Sequence, residues 1–112
     1  EYRAIADGAG VAIKHAGGED RLFLSEAPVI FEDAVATFKG RAGFARHGPA
    51  GHLRLMVNEG QIKSDGISLS CPGSAALVFD GKAIQVFTTA DPKVVAVTLP
   101  AEMKRVPVTI SP

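Results

Sequence analysis

Between residues 34 and 58 the chain carries no Asp or Glu, yet it carries Lys39, Arg41, Arg46 and Arg54 together with His47 and His52. The stretch before it, 19–33, is the reverse: Glu19, Asp20, Glu26, Glu32 and Asp33 stand against a single Arg21. A run of cations without acids suits an anionic ligand. Arginine presents a planar fork of donors that matches carboxylate or sulfate geometry. The same segregation also arises when an acidic strand lies beside a basic one and the two pair on a solvated face with no ligand at all. His47 and His52 straddle the loop Gly48-Pro49-Ala50-Gly51, which holds no Asp, Glu or Cys to complete a metal site. A solvated loop is the plainer reading of this pair. His15, just before Ala16-Gly17, reads as a strand-end residue.

Other reactive side chains are thinly spread. The carboxylate pairs Glu19-Asp20 and Glu32-Asp33 are consecutive, and consecutive side chains in a strand point to opposite faces, so neither makes an acid/base dyad by itself. Together with backbone carbonyls they could hold a structural calcium ion. No other cofactor is implied. The lone Cys71, in Ser70-Cys71-Pro72-Gly73, reads as a buried strand-end thiol; a nucleophile would need a neighbouring base, and nothing in the sequence fixes His52 beside it. The chain has no G-x-S-x-G, no GxGxxG and no GxxxxGK[ST]. Catalytic activity in this chain alone therefore has little sequence support. Trp is absent and Tyr2 is the only Tyr, which leaves the six Phe as stacking surfaces for a sugar, and most of those are needed in a core.

These residues must be positioned by strands. With 112 residues, 46% apolar and 21% charged, the composition is that of one globular domain spanning 1–112. Twelve Lys+Arg balance twelve Asp+Glu, which argues against a nucleic-acid partner. No apolar run reaches the ~18 residues of a membrane-spanning helix. The chain opens on Glu1 rather than Met, so a domain excised or processed from a larger protein is expected.

Turn signals recur along the chain at Asp7-Gly8, Gly17-Gly18, Gly48-Pro49, Glu59-Gly60, Asp65-Gly66, Pro72-Gly73, Asp80-Gly81 and Asp91-Pro92. Such spacing predicts an all-β fold: an antiparallel, jelly-roll-like β-sandwich of ten to twelve short strands in two sheets. Leu53, Leu55 and Val57 alternate with Arg54, Met56 and Asn58, and Ile67, Leu69 and Cys71 alternate with Ser68 and Ser70. Asp80-Gly81 predicts a type I′ hairpin turn between 75–80 and 82–88. The nearly unbroken apolar run 94–99 predicts a central strand buried on both faces, and 106–110 a strand that closes the sheet. Only 101–105 reads helical, for a single turn. The expected core is Ile13, Leu22, Leu24, Val29, Phe31, Phe38, Phe44, Leu53, Leu55, Ile67, Leu69, Leu77, Phe79, Ile84, Val86, Val95, Val97 and Leu99.

The pattern Phe38-x-Gly40-x-x-Gly43-x-x-Arg46, then Leu53-x-Leu55-x-x-x-x-Gly60-x-Ile62-x-x-x-Gly66-x-x-Leu69, with the ending Val95-Ala96-Val97-Thr98-Leu99-Pro100, resembles the β-sandwich domains that follow the catalytic part of bacterial polysaccharide lyases of the heparinase II/III type. Related sandwiches accompany other secreted carbohydrate-active enzymes. The resemblance covers residues 29–100 and carries over no catalytic residue. It implies a secreted or periplasmic accessory module that stabilises a neighbouring domain or weakly holds an acidic polysaccharide. The ligand-binding candidates are then Lys39, Arg41, Arg46, His47, His52 and Arg54. A structural or adhesion module for protein–protein contact is the alternative.

Overall fold

A computed structural model describes residues 1–112. Nine strands follow one another: β1 (Tyr2–Ile5), β2 (Gly10–His15), β3 (Gly18–Glu32), β4 (Thr37–His47), β5 (Leu53–Ser64), β6 (Ile67–Phe79), β7 (Ile84–Thr88), β8 (Ala96–Thr98) and β9 (Val108–Ser111). The all-β expectation holds, and the only helical pieces are single 3-10 turns, one of them at Ala101–Met103. No helix is long and apolar enough to cross a membrane.

The strands form one sheet rather than two separate ones. Its order is β1-β2-β3-β4-β5-β6-β7-β9, antiparallel from β1 to β7, with β9 parallel to β7 and β8 pairing with β6. The strands are fewer and longer than the turn signals suggest because two of those signals are not turns. Asn58 pairs with Ser74 and Gly60 with Cys71, so Glu59 lies opposite Pro72-Gly73 in a β-bulge between β5 and β6. Gly60 is required there: a Cβ would drive into the Lys39 carbonyl oxygen. A larger irregularity breaks β3. Between the Leu24–Ala42 and Val29–Gly40 pairs, β3 carries Ser25, Glu26, Ala27 and Pro28 where β4 carries only Arg41. Pro28 has no N–H to give a ladder, which suits that position.

These irregularities lie side by side and bend the sheet into two arms. Burial alternates along β4 as Phe38 and Gly40 inside, then slips a residue to Gly43 and Ala45. Along β5 it slips in the same way between Val57 and Ile62. Inner side chains of both arms meet in one core that includes Phe23, Phe38, Leu55, Ile62, Leu69, Leu77 and Val86. Phe23 from one arm stacks on Phe38 from the other, with ring centroids 4.3 Å apart and an angle of 8° between planes. Phe38 also lies over Gly43, where a Cβ would come within 2.5 Å of its ring. Arg21 of one arm reaches Asp33 at the end of the other at 2.7 Å, and within that second arm the Ser64 hydroxyl donates to the Val35 carbonyl at 2.6 Å.

Several expectations need correcting. Leu22 and Leu24 point outward and Phe23 between them is buried, so the inner face of β3 is the one opposite to that expected. Three consecutive apolar residues give no parity, and the arm's packing decides it. Ile13, Val29, Phe31, Phe44, Phe79, Val97 and Leu99 are only half-buried. The run 94–99 is no central strand: Val94 ends a 3-10 turn that starts at Pro92, and β8 is three residues at the periphery of β6. Asp80-Gly81 lies in a hairpin, but Phe79 pairs with Ile84, so the loop has four residues. Asp80 organises it by accepting the N–H groups of Lys82 and Ala83. The two-residue I′-like turn is Asp65-Gly66, with φ of 54° and 82° and Ser64 paired to Ile67. Residues 108–111 do close one edge of the sheet, in parallel.

Candidate functional site

The six candidate cations do not converge. They separate into three places fixed by β4, β5 and the loop between them. Arg46 on β4 is flanked directly by Asp20 on β3 and Arg54 on β5. Its guanidinium grips Asp20 with both prongs, Nε to Oδ1 at 2.9 Å and Nη2 to Oδ2 at 3.0 Å. His15 Nε2 approaches the same Oδ1 at 3.1 Å. The Gly17 N–H donates to His15 Nδ1 at 3.0 Å, which leaves Nε2 as the nitrogen that carries a proton toward Asp20. The side chain of Asp20 is almost wholly buried. Its carboxyl is held below the usual range, first by the hydrogen bonds from Arg46, against the opposing effect of burial, and further by His15. Asp20 in turn raises Arg46 above its ordinary value, chiefly through the same hydrogen bonds. The acidic and basic strands thus pair with each other, as one of the two sequence readings required.

Arg54 makes no ion pair and lies exposed beside Arg46. With His52, Gly48, Val78 and Asp80 these two arginines line an open groove of about 430 Å³ at the end of the sheet. Asp80 sits below its ordinary value because the backbone N–H groups of Ala83 and Lys82 donate to it, with His52 nearby adding a smaller pull. His47 turns elsewhere: its Nε2 lies 3.6 Å from Asp65 in the β5–β6 turn, across the mouth between the arms. Arg41 stands exposed at the bend, and Lys39 beyond it on the other arm. The structure therefore joins Arg46, His52 and Arg54, and separates Lys39, Arg41 and His47 from them.

Sequence reasoning missed the most buried cation. Arg21 projects from the inner face of β3 in register with Ala45, and its guanidinium donates to Asp33 Oδ2, to the Asp20 carbonyl and to Glu19 Oε2. Asp33 also caps its loop by accepting from Val35 and Ala36, each at 2.9 Å. Burial raises the Asp33 carboxyl, but the N–H of Ala36, the guanidinium of Arg21 and the N–H of Val35 outweigh it and hold the group below its ordinary value. The available signal was positional: Arg21 has the same parity as Phe23, so whichever face buries Phe23 also buries Arg21. With Asp20 and Asp33 held by cations and N–H groups, the calcium reading has little to build on, and no group of three or more His, Cys, Asp or Glu comes together to hold a metal. Cys71 is buried inside β6, not at its end. Its Sγ accepts from the Gly73 N–H at 3.3 Å and lies 3.9 Å from the Thr88 hydroxyl. Nothing there acts as a base.

The outer face of the sheet carries a second feature. Leu22, Phe44, Met56, Ala76 and Phe87 are direct cross-strand neighbours from β3 to β7. They form one apolar row parallel to the row of Asp20, Arg46 and Arg54. The two rows touch where the Arg46 guanidinium lies 5.6 Å from the Phe44 ring centroid. The row's most exposed members remain open: Leu22 is 46% exposed, Met56 52% and Phe87 51%. No family model, curated protein or solved structure matches the chain.

Proposed function

We propose that the chain is a contact module that docks protein through the outer face of its sheet. The observation that carries this reading is the apolar row Leu22–Phe44–Met56–Ala76–Phe87, in register across five strands and open to solvent. Scattered surface Leu or Phe residues need no explanation, whereas a contiguous row bordered by arginines has the make-up of an interface. The module's place beside another domain of a secreted or periplasmic polysaccharide-processing protein is part of the proposal and rests on the sequence resemblance. A second reading, weak holding of an acidic polysaccharide, is favoured by the unpaired Arg54 beside His52 in the end groove.

A photo-cross-linking side chain placed at position 87, inside the producing cells, tests the first reading against a control at Lys82 in the exposed loop. Covalent adducts with protein from position 87 but not from 82 are expected. No adduct from position 87 overturns the contact reading. If the chain is then also retarded in gels containing acidic polysaccharide, and salt removes that retardation, the groove is the functional site.

A further inference from the structure

The apolar row has neighbours on both sides, and their chemistry indicates what covers it. On one side run Asp20, Arg46 and Arg54, a row with a net positive charge once Asp20 and Arg46 are paired. On the other run Leu24, Ala42, Asn58 and Ser74, also direct cross-strand neighbours. Leu24 is 77% exposed. Beyond this third row lies exposed Glu59, at the bulge next to Asn58. The face is therefore apolar through its middle, with an unpaired cation on β5 at one border and a carboxylate on β5 at the other.

We infer that the occupant of this face is a second copy of the chain, packed sheet on sheet about a two-fold axis that runs across the strands. The inference rests on the contact-module reading and names its partner. A two-fold axis along the strands would set the Arg46–Arg54 row against itself, cation facing cation. An axis across the strands leaves each strand facing its own copy and exchanges the borders. Arg54 then meets Asn58 and Glu59 of the partner subunit, the Asp20–Arg46 pair meets Leu24 and Ala42 of the partner subunit, and the apolar rows lie one on the other. Self-complementarity of this kind is what an isologous contact demands.

The area also fits. Five strands from β3 to β7 at ~4.8 Å, and three rows at ~7 Å, cover roughly 500 Å² per copy. Two copies then bury about 1,000 Å², the size at which specific interfaces begin. The twist of each sheet sets the two layers about 30° apart, as in aligned sandwiches.

Light scattering on the eluting chain, from low micromolar to near-millimolar concentration, reads the mass. A species of twice the chain's mass is expected at the upper end. Met56→Glu and, independently, Phe87→Glu are expected to give the single-chain mass at every concentration with an unchanged circular-dichroism spectrum. Two variants are used so that misfolding of one does not decide the matter. Arg54→Glu is expected to weaken association about tenfold or more, and adding Glu59→Arg to restore most of it, because the reversed pair again has opposite signs. A chain that stays single at every concentration overturns the inference, as does a dimer that survives both Met56→Glu and Phe87→Glu. A single chain whose position 87 still cross-links to other proteins overturns only the second copy and leaves the contact reading standing. A single chain with no adducts overturns both.

Discussion

Phe23 and Phe31 sit on the same strand, yet their rings lie 5.3 Å apart, tilted by 51°. Eight residues of straight strand would separate them by about 26 Å. Strand β3 therefore doubles over between them, and Ser25-Glu26-Ala27-Pro28 is where it does so. Phe23 stacks on Phe38 as well, which makes it the contact through which one arm of the sheet rests on the other.

Phe23→Ala is expected to cost about 3–5 kcal/mol, the loss of a fully buried ring from a site that cannot collapse around the gap. Leu22→Ala and Leu24→Ala, one residue to either side, are expected to change stability by less than about 1 kcal/mol, since both point to solvent. Urea unfolding of the three variants reads the inner face of β3 directly. A larger loss at Leu24 than at Phe23 would mean that the register of the strand is wrong.

That face was the least legible part of the sequence. Alternation fixed the orientation of β5 and β6, where Leu53, Leu55, Ile67 and Leu69 are buried as expected. It could not orient Leu22-Phe23-Leu24, because three apolar residues in a row fit either face. Glu59-Gly60 and Pro72-Gly73 read as turns by composition; only the pairing of β5 with β6 shows them to be the two sides of one bulge. Of the site, the salt bridge between Asp20 and Arg46 was foreseeable from the opposite charge of adjacent segments. The separation of Lys39 and Arg41 from Arg46 was not, because it depends on the bend. The burial of Arg21 follows only once Phe23 is placed.

Asp33→Ala is expected to destabilise the chain by about 3 kcal/mol, because it strips the buried Arg21 guanidinium of its closest partner and uncaps the 33–36 loop. Arg21→Met, which removes the charge and keeps an apolar stem, is expected to cost less than Arg21→Ala. Thermal melts of the three variants test this ranking; equal losses for Met and Ala would mean that packing of the stem contributes nothing.

Stability is expected to fall in acid. Asp20, Asp33 and Asp80 all have folded-state values below the ordinary 3.8. A carboxyl depressed in the folded state contributes stability that is complete above its unfolded value and is lost as pH falls through the folded one. The melting temperature should therefore hold steady down to about pH 5 with respect to these groups and decline below pH 4. Asp20→Asn should make that decline shallower, since one of the three contributions is then absent at every pH. A melting curve that drops no faster for the wild type than for Asp20→Asn would count against the Arg46–Asp20 pair as a stabilising contact.

Gly60→Ala is expected to destabilise by about 2 kcal/mol or more, since the added methyl meets backbone, the Lys39 carbonyl, rather than a side chain that can swing away. Gly73→Ala, across the same bulge, has only the Ala90 methyl at 3.3 Å as a neighbour and is expected to be milder. Chemical denaturation of the pair decides whether the bulge tolerates bulk on one side only.

Because β3, β4, β5 and β6 each contribute to both arms, neither arm can open without the other. Amide protons deep in the two arms, those of Phe23 and Leu69 among them, should exchange with solvent only when the whole chain unfolds, at one common free energy. Strand β8 sits outside that arrangement. Its three residues pair only with one end of β6, so its amides can be released by fraying alone. The molecule is thus one cooperative unit with one short strand at its periphery, a partition set by which strands cross the bend and which do not.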